Sequence, residues 1–377
     1  MIDLMMVDLG RQLEPIKTEI NAAIEEVLRA SNFIKGLQVK EFEKNLAEWL
    51  SAKHVISCAN GTDGLQLAFM ALGLKPGDEV IVPTFTYVAT AEVIALLGLK
   101  PIFVDVYSNS FNMNIDSASE LITSRTRAIV PVHLYGQSAD MEAIMKFAEE
   151  HKLFVIEDTA QAIGAEVRFS DGSTRKAGTI GHIGTTSFFP SKNLGCFGDG
   201  GAIFTNSDEI AAKLKMIANH GQRVQYYHDV VGVNSRLDTL QAAILNVKLK
   251  HLHSYCEARQ TSAAFYDSEL KELEQVTIPY RSNFSSHVFH QYTLKINEEY
   301  SRDELKKYLA ENGIPSMIYY PLPLHKQKAY LEFLVHNMEY PVSSSLCDSV
   351  LSLPMHTHLK RAEQEYIINH IKSFFRA

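Results

Sequence analysis

The sequence predicts an α/β protein whose central sheet is mostly parallel and lies between layers of helices. Short apolar runs alternate with segments in which apolar residues recur every three or four positions, over residues 54–220. This alternation is typical of parallel sheets, because a parallel connection has to cross over the sheet. The chain has 377 residues, more than one core of about 250 to 300 residues can hold, which indicates a second, smaller lobe.

The individual elements follow from these patterns in chain order. Amphipathic helices come first, at residues 14–29 and 39–50. The predicted strands that follow are 55–57, 79–82, 101–104, 128–132, 153–156, 183–188 and 202–205. The predicted helices between and after them are 65–72, 89–97, 115–122, 141–151 and 209–220. A long helical run then begins at Leu237 and extends through Leu252 toward Leu270.

The last part of the chain is predicted to form a smaller α+β C-terminal domain. A half-buried strand is expected over residues 288–296, a helix over 302–312 and a closing helix over 363–375. The long helical run before them marks the seam between the two lobes. We therefore predict a large domain of residues 1–247, including the N-terminal helices, and a small domain of residues 248–377.

Composition argues against several classes of function. The formal net charge is −8, so the chain lacks the basic excess that nonspecific nucleic-acid binding needs. The four cysteines are widely spaced, which disfavours a zinc site or a disulfide framework, and none of the 15 histidines has a metal-site spacing. The N-terminus carries acids where a signal peptide carries positive charge, and no apolar run approaches 18 residues. We expect a cytoplasmic protein with no metal, no nucleic-acid partner and no membrane span.

One lysine, Lys192, lies in the turn between two predicted strands. The turn reads Phe189-Pro190-Ser191-Lys192, and a glycine-rich return follows it. Between aromatic-rich strands a lysine loses solvation, which lowers its pKa and leaves part of it as the neutral amine that a carbonyl captures as a Schiff base. Taken alone, such a lysine is more often a surface residue of a hairpin.

A carboxylate at the end of a predicted buried strand favours a functional role for Lys192 over a surface position. Residues 153–156 are apolar and lead into Glu157 and Asp158, and ligands of parallel α/β sheets gather at the carboxyl ends of strands. A lysine Schiff base with an aspartate that holds a pyridinium nitrogen is the pattern for pyridoxal 5′-phosphate. For Asp158 alone the alternative is a helix N-cap, but together with Lys192 the cofactor interpretation is favoured.

The sequence also contains a candidate phosphate site. Asn60-Gly61-Thr62 follows a short strand and opens an apolar helix, so free backbone N–H groups at the helix start face a loop. Ser187, on the strand that leads to Lys192, adds a hydroxyl donor. An Asn-Gly pair alone would be weak evidence, because strand-to-helix turns often contain one.

Five motifs in their order along the chain resemble the DegT/DnrJ/EryC1/StrS family of pyridoxal-phosphate-dependent nucleotide-sugar aminotransferases. The resemblance covers nearly the whole chain. The matching segments are residues 60–62, 83–90, 157–162, 187–192 and 232–238. It implies the fold type I aminotransferase architecture, with catalytic Lys192 and Asp158, and a phosphate site at Gly61, Thr62 and Ser187.

The resemblance assigns two more residues to the cofactor. Tyr87 occupies the place where family members stack an aromatic ring on the pyridoxal ring, with Phe85 as the alternative. Gln161 resembles the family glutamine beside the cofactor. It could bond the phenolic oxygen of the ring or face the sugar.

Residues for the nucleotide sugar are also implied by the resemblance. Asn234 is expected to reach the cofactor phosphate of a neighbouring subunit, and Arg236 a substrate carboxylate or diphosphate, which implies a homodimer with shared sites. The segment from Tyr319 and Tyr320 to His325 resembles the family's sugar-nucleotide segment, although Tyr319 stands where histidine is common.

The implied reaction moves an amino group, from L-glutamate in most of the family, to a keto nucleotide sugar. The motifs look most like those of enzymes that act on UDP-2-acetamido-2-deoxy-3-keto-glucuronic acid in O-antigen and lipopolysaccharide sugar synthesis. A dTDP-3-keto-6-deoxyhexose is the alternative substrate. A dehydratase of the same fold is disfavoured, because that branch has histidine in place of Lys192, and a noncatalytic regulator is disfavoured because the site residues are present.

Overall fold

The computed structural model describes residues 4–334 and 338–376. Its strands are β1 (His54–Cys58), β2 (Glu79–Pro83), β3 (Lys100–Val104), β4 (Thr126–Ile129), β5 (Phe154–Asp158), β6 (Glu166–Arg168), β7 (Thr174–Lys176), β8 (Ile183–Ser187), β9 (Gly201–Thr205), β10 (Gln222–Val224), β11 (Tyr227–His228), β12 (Val276–Thr277), β13 (Tyr292–Ile296) and β14 (Val350–Leu353). Its α-helices are α1 (Leu9–Leu13), α2 (Lys17–Ala30), α3 (Leu37–Leu50), α4 (Gly61–Leu72), α5 (Ala89–Leu96), α6 (Met141–His151), α7 (Asp208–Ile217), α8 (Thr239–Leu249), α9 (Leu252–Leu270), α10 (Arg302–Glu311), α11 (Pro341–Ser349) and α12 (Arg361–Phe374).

A seven-stranded sheet forms the centre of the molecule, in the order β1-β9-β8-β5-β4-β2-β3. Strands β3, β2, β4, β5 and β8 are parallel, while β9 pairs antiparallel with both β8 and β1. The mostly parallel α/β sheet predicted from the sequence is therefore confirmed. Because β5 and β8 are neighbours with the same direction, Asp158 at the end of β5 pairs with Thr185, two residues before the end of β8.

Helix α4 connects the edge strand β1 to the rest of the sheet and fixes one side of the site. Asn60 caps it, accepting a hydrogen bond from the N–H of Asp63 at 2.8 Å, and Gly73 ends it with a left-handed φ of 73°. Its apolar residues, including Leu67 and Phe69, are buried against the sheet. Burial of most of its length holds the first turn of the helix in a fixed position.

The C-terminal part of the chain has its own small sheet and core. Strands β12, β13 and β14 are antiparallel, and α9, α10 and α12 pack beside them. The buried apolar residues of this core all lie between Ala263 and Ile371. A separate core supports two lobes, while the boundary at residues 247 and 248 stays a prediction.

The structure corrects several predicted elements. The long helical run is interrupted at Lys250 and His251, which separate α8 from α9, although neither glycine nor proline marks the break. The helix expected over residues 115–122 is a 3-10 helix, Asp116–Leu121. The strand expected over residues 288–296 begins only at Tyr292, because Phe289 has a φ of 46°, incompatible with an extended strand. No helix in residues 4–334 or 338–376 is long and apolar enough to span a membrane.

Candidate active site

A cavity of about 860 Å³ opens at the carboxyl ends of the parallel strands. This is the position at which α/β sheets bind their ligands. Nine of the residues predicted for the site line it: Gly61, Thr62, Tyr87, Asp158, Gln161, Ser187, Lys192, Tyr319 and Tyr320. These residues are brought together from strands, loops and one helix start that are up to 259 positions apart in sequence.

The start of α4 forms an anion cradle against β8. A Cβ atom on Gly61 would lie 2.8 Å from the Cβ and 3.3 Å from the Cα of Ser187, so only glycine allows this approach. The first N–H groups of a helix have no partner within it, and they carry the positive end of its dipole. The Oγ of Ser187 accepts from the N–H of Phe189 at 3.2 Å, which leaves the hydroxyl hydrogen free to donate into the cavity. A phosphate group fits this arrangement.

Asp158 presents an oriented carboxylate to the same cavity. Its Oδ2 accepts a hydrogen bond from Thr90 at 3.1 Å, and its Oδ1 accepts from the N–H of Ala160 at 3.1 Å. Its own backbone is bonded to Pro131 and His133, in the segment that follows β4. Each carboxylate oxygen retains a free lone pair, so Asp158 is placed to hold a protonated ring nitrogen.

A buried hydrogen-bond network around Glu157 holds the end of β5 in place. The carboxylate of Glu157 accepts from the N–H groups of Gly178, Ile180 and Gly181 at 2.6 to 2.8 Å, and it lies 3.0 Å from Nε2 of His133. The Nδ1 of His133 accepts from the N–H of Ala139, so Nε2 carries the hydrogen and donates to Glu157. This network connects the turn before β8 to β5, which fixes the backbone from which Asp158 projects.

Lys192 lies in a tight turn on the wall of the same cavity, close enough to Asp158 for the two charges to interact. Its N–H donates to the carbonyl of Phe189 at 2.8 Å, and the side chain of Asn193 donates to the carbonyl of Val288 at 3.1 Å. Loss of solvation lowers the pKa of Lys192 from 10.5 to about 8, and the negative charge of Asp158 opposes this shift. The lowered pKa expected from the sequence is thus present in the folded chain.

Tyr87 and Gln161, the aromatic and amide residues predicted for the cofactor ring, also line the cavity. Tyr87 lines the cavity and is 58% exposed, whereas Phe85 is buried behind it and contacts Tyr320 edge-on at 6.0 Å. The position of Tyr87 favours it over Phe85 for stacking. The Oε1 of Gln161 accepts from the N–H of Tyr135 at 2.7 Å and its Nε2 donates to the hydroxyl of Tyr320 at 3.1 Å. The second amide hydrogen of Gln161 and one lone pair of its Oε1 are left for a ligand.

Three predicted residues do not line this cavity. Asn234 is exposed, and its Oδ1 accepts from Nε of Arg236 at 2.8 Å on the surface of the chain. His325 is buried beneath β2, where its Nδ1 lies 2.8 Å from the hydroxyl of Thr84 and its ring packs on Tyr340 at 4.4 Å. This position corrects the expectation for His325, because a ring held there supports the strand end and does not reach the cavity.

The sequence patterns missed other residues of the wall. Thr86, His290 and Gln291 line the cavity, and each has a buried side-chain atom with no hydrogen-bond partner among the described residues. No spacing pattern in the sequence connects His290 to Lys192. The connection exists only in the fold, where the segment of His290 bonds to the lysine turn through Val288.

The geometry of the site is sufficient to define the class of protein. A lysine amine of lowered pKa faces a carboxylate, and a helix-start cradle that a single Cβ would fill lies across the same cavity. These groups fit the aldehyde, the pyridine nitrogen and the phosphate of pyridoxal 5′-phosphate. The fold and the site are those of a pyridoxal-phosphate enzyme.

Comparison with known proteins identifies the family. Residues 14–372 match the DegT/DnrJ/EryC1/StrS aminotransferase family. The chain belongs to this family and is a pyridoxal-phosphate-dependent nucleotide-sugar aminotransferase. The family resemblance found in the motifs, the fold type I architecture, the cofactor and the reaction class are all confirmed.

Individual relatives carry different names. The chain is 46% identical over 373 residues to a pleiotropic regulatory protein of Geobacillus stearothermophilus, covering 98% of both chains. It is 45% identical over 361 residues to the UDP-2-acetamido-2-deoxy-3-oxo-D-glucuronate aminotransferase of Pseudomonas aeruginosa, covering 96% of this chain and 97% of that one. The crystal structure of S. venezuelae DesV in complex with a ketimine intermediate superimposes with a TM-score of 0.95, at 37% identity and complete coverage of both chains.

Proposed function

We propose that this protein transfers an amino group from L-glutamate to the keto carbon of UDP-2-acetamido-2-deoxy-3-keto-glucuronic acid, in the synthesis of a polysaccharide sugar such as that of O-antigen. The observation that carries the reaction is the lowered pKa of Lys192 opposite Asp158 in a cavity large enough for a cofactor and a sugar. The substrate is supported by the 45% identity to a relative named for that reaction and by Arg236, whose planar guanidinium suits a carboxylate.

The residues that line the cavity have different roles in such an amino-group transfer. Bound pyridoxal phosphate supplies an electron sink for the carbon that loses its proton. Asp158 would hold the ring nitrogen in its protonated form, and the start of α4 with Ser187 would hold the phosphate. Lys192 would retain the cofactor and, as a free amine, would accept a proton and return it. In the cofactor-free chain, a pKa of about 8 leaves roughly a tenth of the Lys192 amine neutral at pH 7 and able to react with the cofactor aldehyde.

The assignment of Lys192 can be tested against a second lysine with the same pKa. Burial also lowers the pKa of Lys248 to about 8, but its amine lies 5.5 Å from the ring centre of Phe197 and does not line the cavity. Borohydride treatment of the cofactor-loaded protein followed by peptide mapping is expected to place the reduced cofactor on Lys192 alone. Lys192→Ala should lose turnover, whereas Lys248→Met should keep it. A cofactor adduct on Lys248, or none in saturated protein, would contradict the assignment.

The substrate is tested through Arg236. Hydrogen bonds to charged groups are worth about 1.5 to 3 kcal/mol, so a contact with a C6 carboxylate should favour the uronic acid over the same UDP-3-keto sugar with a methyl at C6 by roughly ten- to a hundredfold in kcat/KM. Arg236→Ala should close this gap, and Arg236→Lys should close it in part because the paired geometry is lost. If Arg236→Ala slows both substrates equally, the residue holds the diphosphate, and the dTDP-3-keto-6-deoxyhexose alternative becomes the better one.

We also propose a homodimer in which each site takes residues from both subunits. Asn234 and Arg236 lie outside their own chain's cavity, at a surface position, and four of the five N–H donors of Arg236 make no hydrogen bond to a described residue. A two-fold pair would bring two such surfaces to two cavities at once. This arrangement accounts for both residues having no ligand-binding role within one chain.

A regulatory role is the second candidate, because one relative is named a pleiotropic regulatory protein. A protein that only regulates has no need of a lysine whose pKa is lowered beside an oriented carboxylate. The turnover assay separates the two, since a regulator would bind the cofactor without transferring nitrogen.

A further inference from the structure

His290 is a buried histidine of the cavity wall to which no role has been assigned. The residue is 7% exposed, and its Nδ1 is enclosed with no hydrogen-bond partner. Neither ring nitrogen hydrogen-bonds to any residue in the described part of the chain, which leaves Nε2 as the nitrogen open to the cavity. Buried polar groups are normally paired, so an unpaired ring on a cavity wall points to a ligand.

The backbone places this ring beside the reacting amine. The side chain of Asn193, the residue after Lys192, is bonded to the carbonyl of Val288, two residues before His290. A Cβ on Gly136 would lie 2.9 Å from the N of His290, so this glycine lets the segment run tightly against the turn after β4. Both contacts hold His290 on the cavity wall near Lys192, whose charge acts on the ring.

The charges around His290 determine which ligand group it suits. Arg259 is buried beneath the segment, where its guanidinium donates to the carbonyls of Phe289, His290 and Met355. Burial, together with the charges of Lys192 and Arg259, holds the pKa of His290 well below its usual value. The ring is therefore neutral. A neutral imidazole nitrogen suits a hydroxyl group, which donates and accepts at a single atom.

We propose that His290 binds the hydroxyl group at C4 of the sugar and thereby selects the configuration of that carbon. The proposal rests on the 3-keto UDP-sugar function proposed above. In such a sugar the reacting C3 has two neighbours, C2 with its acetamido group and C4 with its hydroxyl. The acetamido group carries its donor and its acceptor on different atoms, whereas one open ring nitrogen matches the single oxygen at C4.

The test uses two stable nucleotide sugars that differ only in configuration at C4. Binding of UDP-N-acetylglucosaminuronic acid and UDP-N-acetylgalactosaminuronic acid, which carry the C6 carboxylate of the proposed substrate, to the cofactor-loaded protein is measured by titration calorimetry. One hydrogen bond between neutral groups corresponds to a difference in Kd of about three- to tenfold. The wild-type protein is expected to show a gap of that size between the epimers, and His290→Phe, which keeps a ring of similar shape, is expected to close it.

His287 supplies a matched control three residues away. It is also buried, but its ring stacks on Phe289 at 3.8 Å and its Nδ1 accepts from the N–H of Phe289. His287→Asn should lower the thermal stability and keep the epimer gap. If phenylalanine at position 290 prevents folding, His290→Ala, which cannot overpack the site, serves the same comparison.

The outcomes separate this contact from the proposed function. An epimer gap that closes in the His290 variants and persists in His287→Asn supports the contact. A gap that persists without His290, or the absence of a gap in the wild type, overturns it and leaves the UDP-sugar function standing. If neither nucleotide sugar binds to the wild-type protein, both the UDP-sugar function and the contact are overturned.

Discussion

The cradle at the start of α4 is open to a test with one methyl group. In Gly61→Ala the new Cβ would stand 2.8 Å from the Cβ of Ser187, whereas ordinary contact begins at 3.4 Å, so helix and strand have to separate by about 0.6 Å. The second contact is the Cα of Ser187, which cannot rotate away. Overpacking of this kind costs about 1 to 3 kcal/mol. Loss of one hydrogen bond to the phosphate adds about 1.5 to 3 kcal/mol to the free energy of cofactor binding.

We therefore expect Gly61→Ala to weaken cofactor binding about ten- to a hundredfold, measured by titrating cofactor-free protein with pyridoxal phosphate. The same helix supplies the control. A Cβ on Gly64 would find its nearest neighbours at 3.6 Å, and alanine is favoured over glycine in a helix by up to about 1 kcal/mol. Gly64→Ala should thus bind the cofactor normally and melt at the same or a higher temperature. Wild-type affinity and stability in Gly61→Ala would refute the steric argument for the cradle.

Two further predictions concern Lys192 and the subunits. Folding lowers the pKa of Lys192 from 10.5 to about 8, so its charged form costs stability below pH 8 and the cost disappears as the pH rises to 10.5. Calorimetry of cofactor-free protein should show Lys192→Met melting above the wild type at pH 7 and level with it near pH 10.5; an equal gap at both pH values would exclude the titration of Lys192 as its cause. If the sites are shared, mixing Lys192→Ala with Arg236→Ala subunits should restore activity, because one mixed site holds both wild-type residues. No recovery after demonstrated subunit exchange would count against sharing.

The sequence correctly predicts those site residues whose position depends only on a short neighbouring segment. Asp158 ends a strand, Lys192 follows a strand, and Gly61 opens a helix, so each is placed by the element that immediately precedes or follows it. The direction of parallel strands then brings the ends of β5 and β8 to one edge of the sheet. Local order and sheet geometry are sufficient to predict that these residues meet.

The residues that were missed or misplaced depend on contacts between distant segments. His325 is held by Thr84, 241 positions earlier, and its proximity to Tyr319 and Tyr320 in sequence says nothing about that bond. His290 reaches the cavity because Phe289 adopts a left-handed conformation and Gly136 admits the backbone. Neither the left-handed conformation nor the close backbone approach leaves a periodic or compositional signal in the sequence. The pattern that predicted a strand through residue 290 was therefore wrong there.

The charges of the cavity give a physical reason for a second subunit. Among the described residues that line it are three aspartates, Asp63, Asp158 and Asp199, with Lys192 as their only cationic neighbour and no arginine. A cofactor phosphate can be held by the N–H groups of α4, but a nucleotide sugar brings a diphosphate in addition, and the chain as a whole carries a net charge of −8. Within the described residues, cations for this further negative charge would come from outside the cavity of one chain. Arg236 lies on the surface with most of its donors unused, so in the proposed dimer the partner's copy of this residue would bring a positive charge to the cavity for the C6 carboxylate of the proposed substrate.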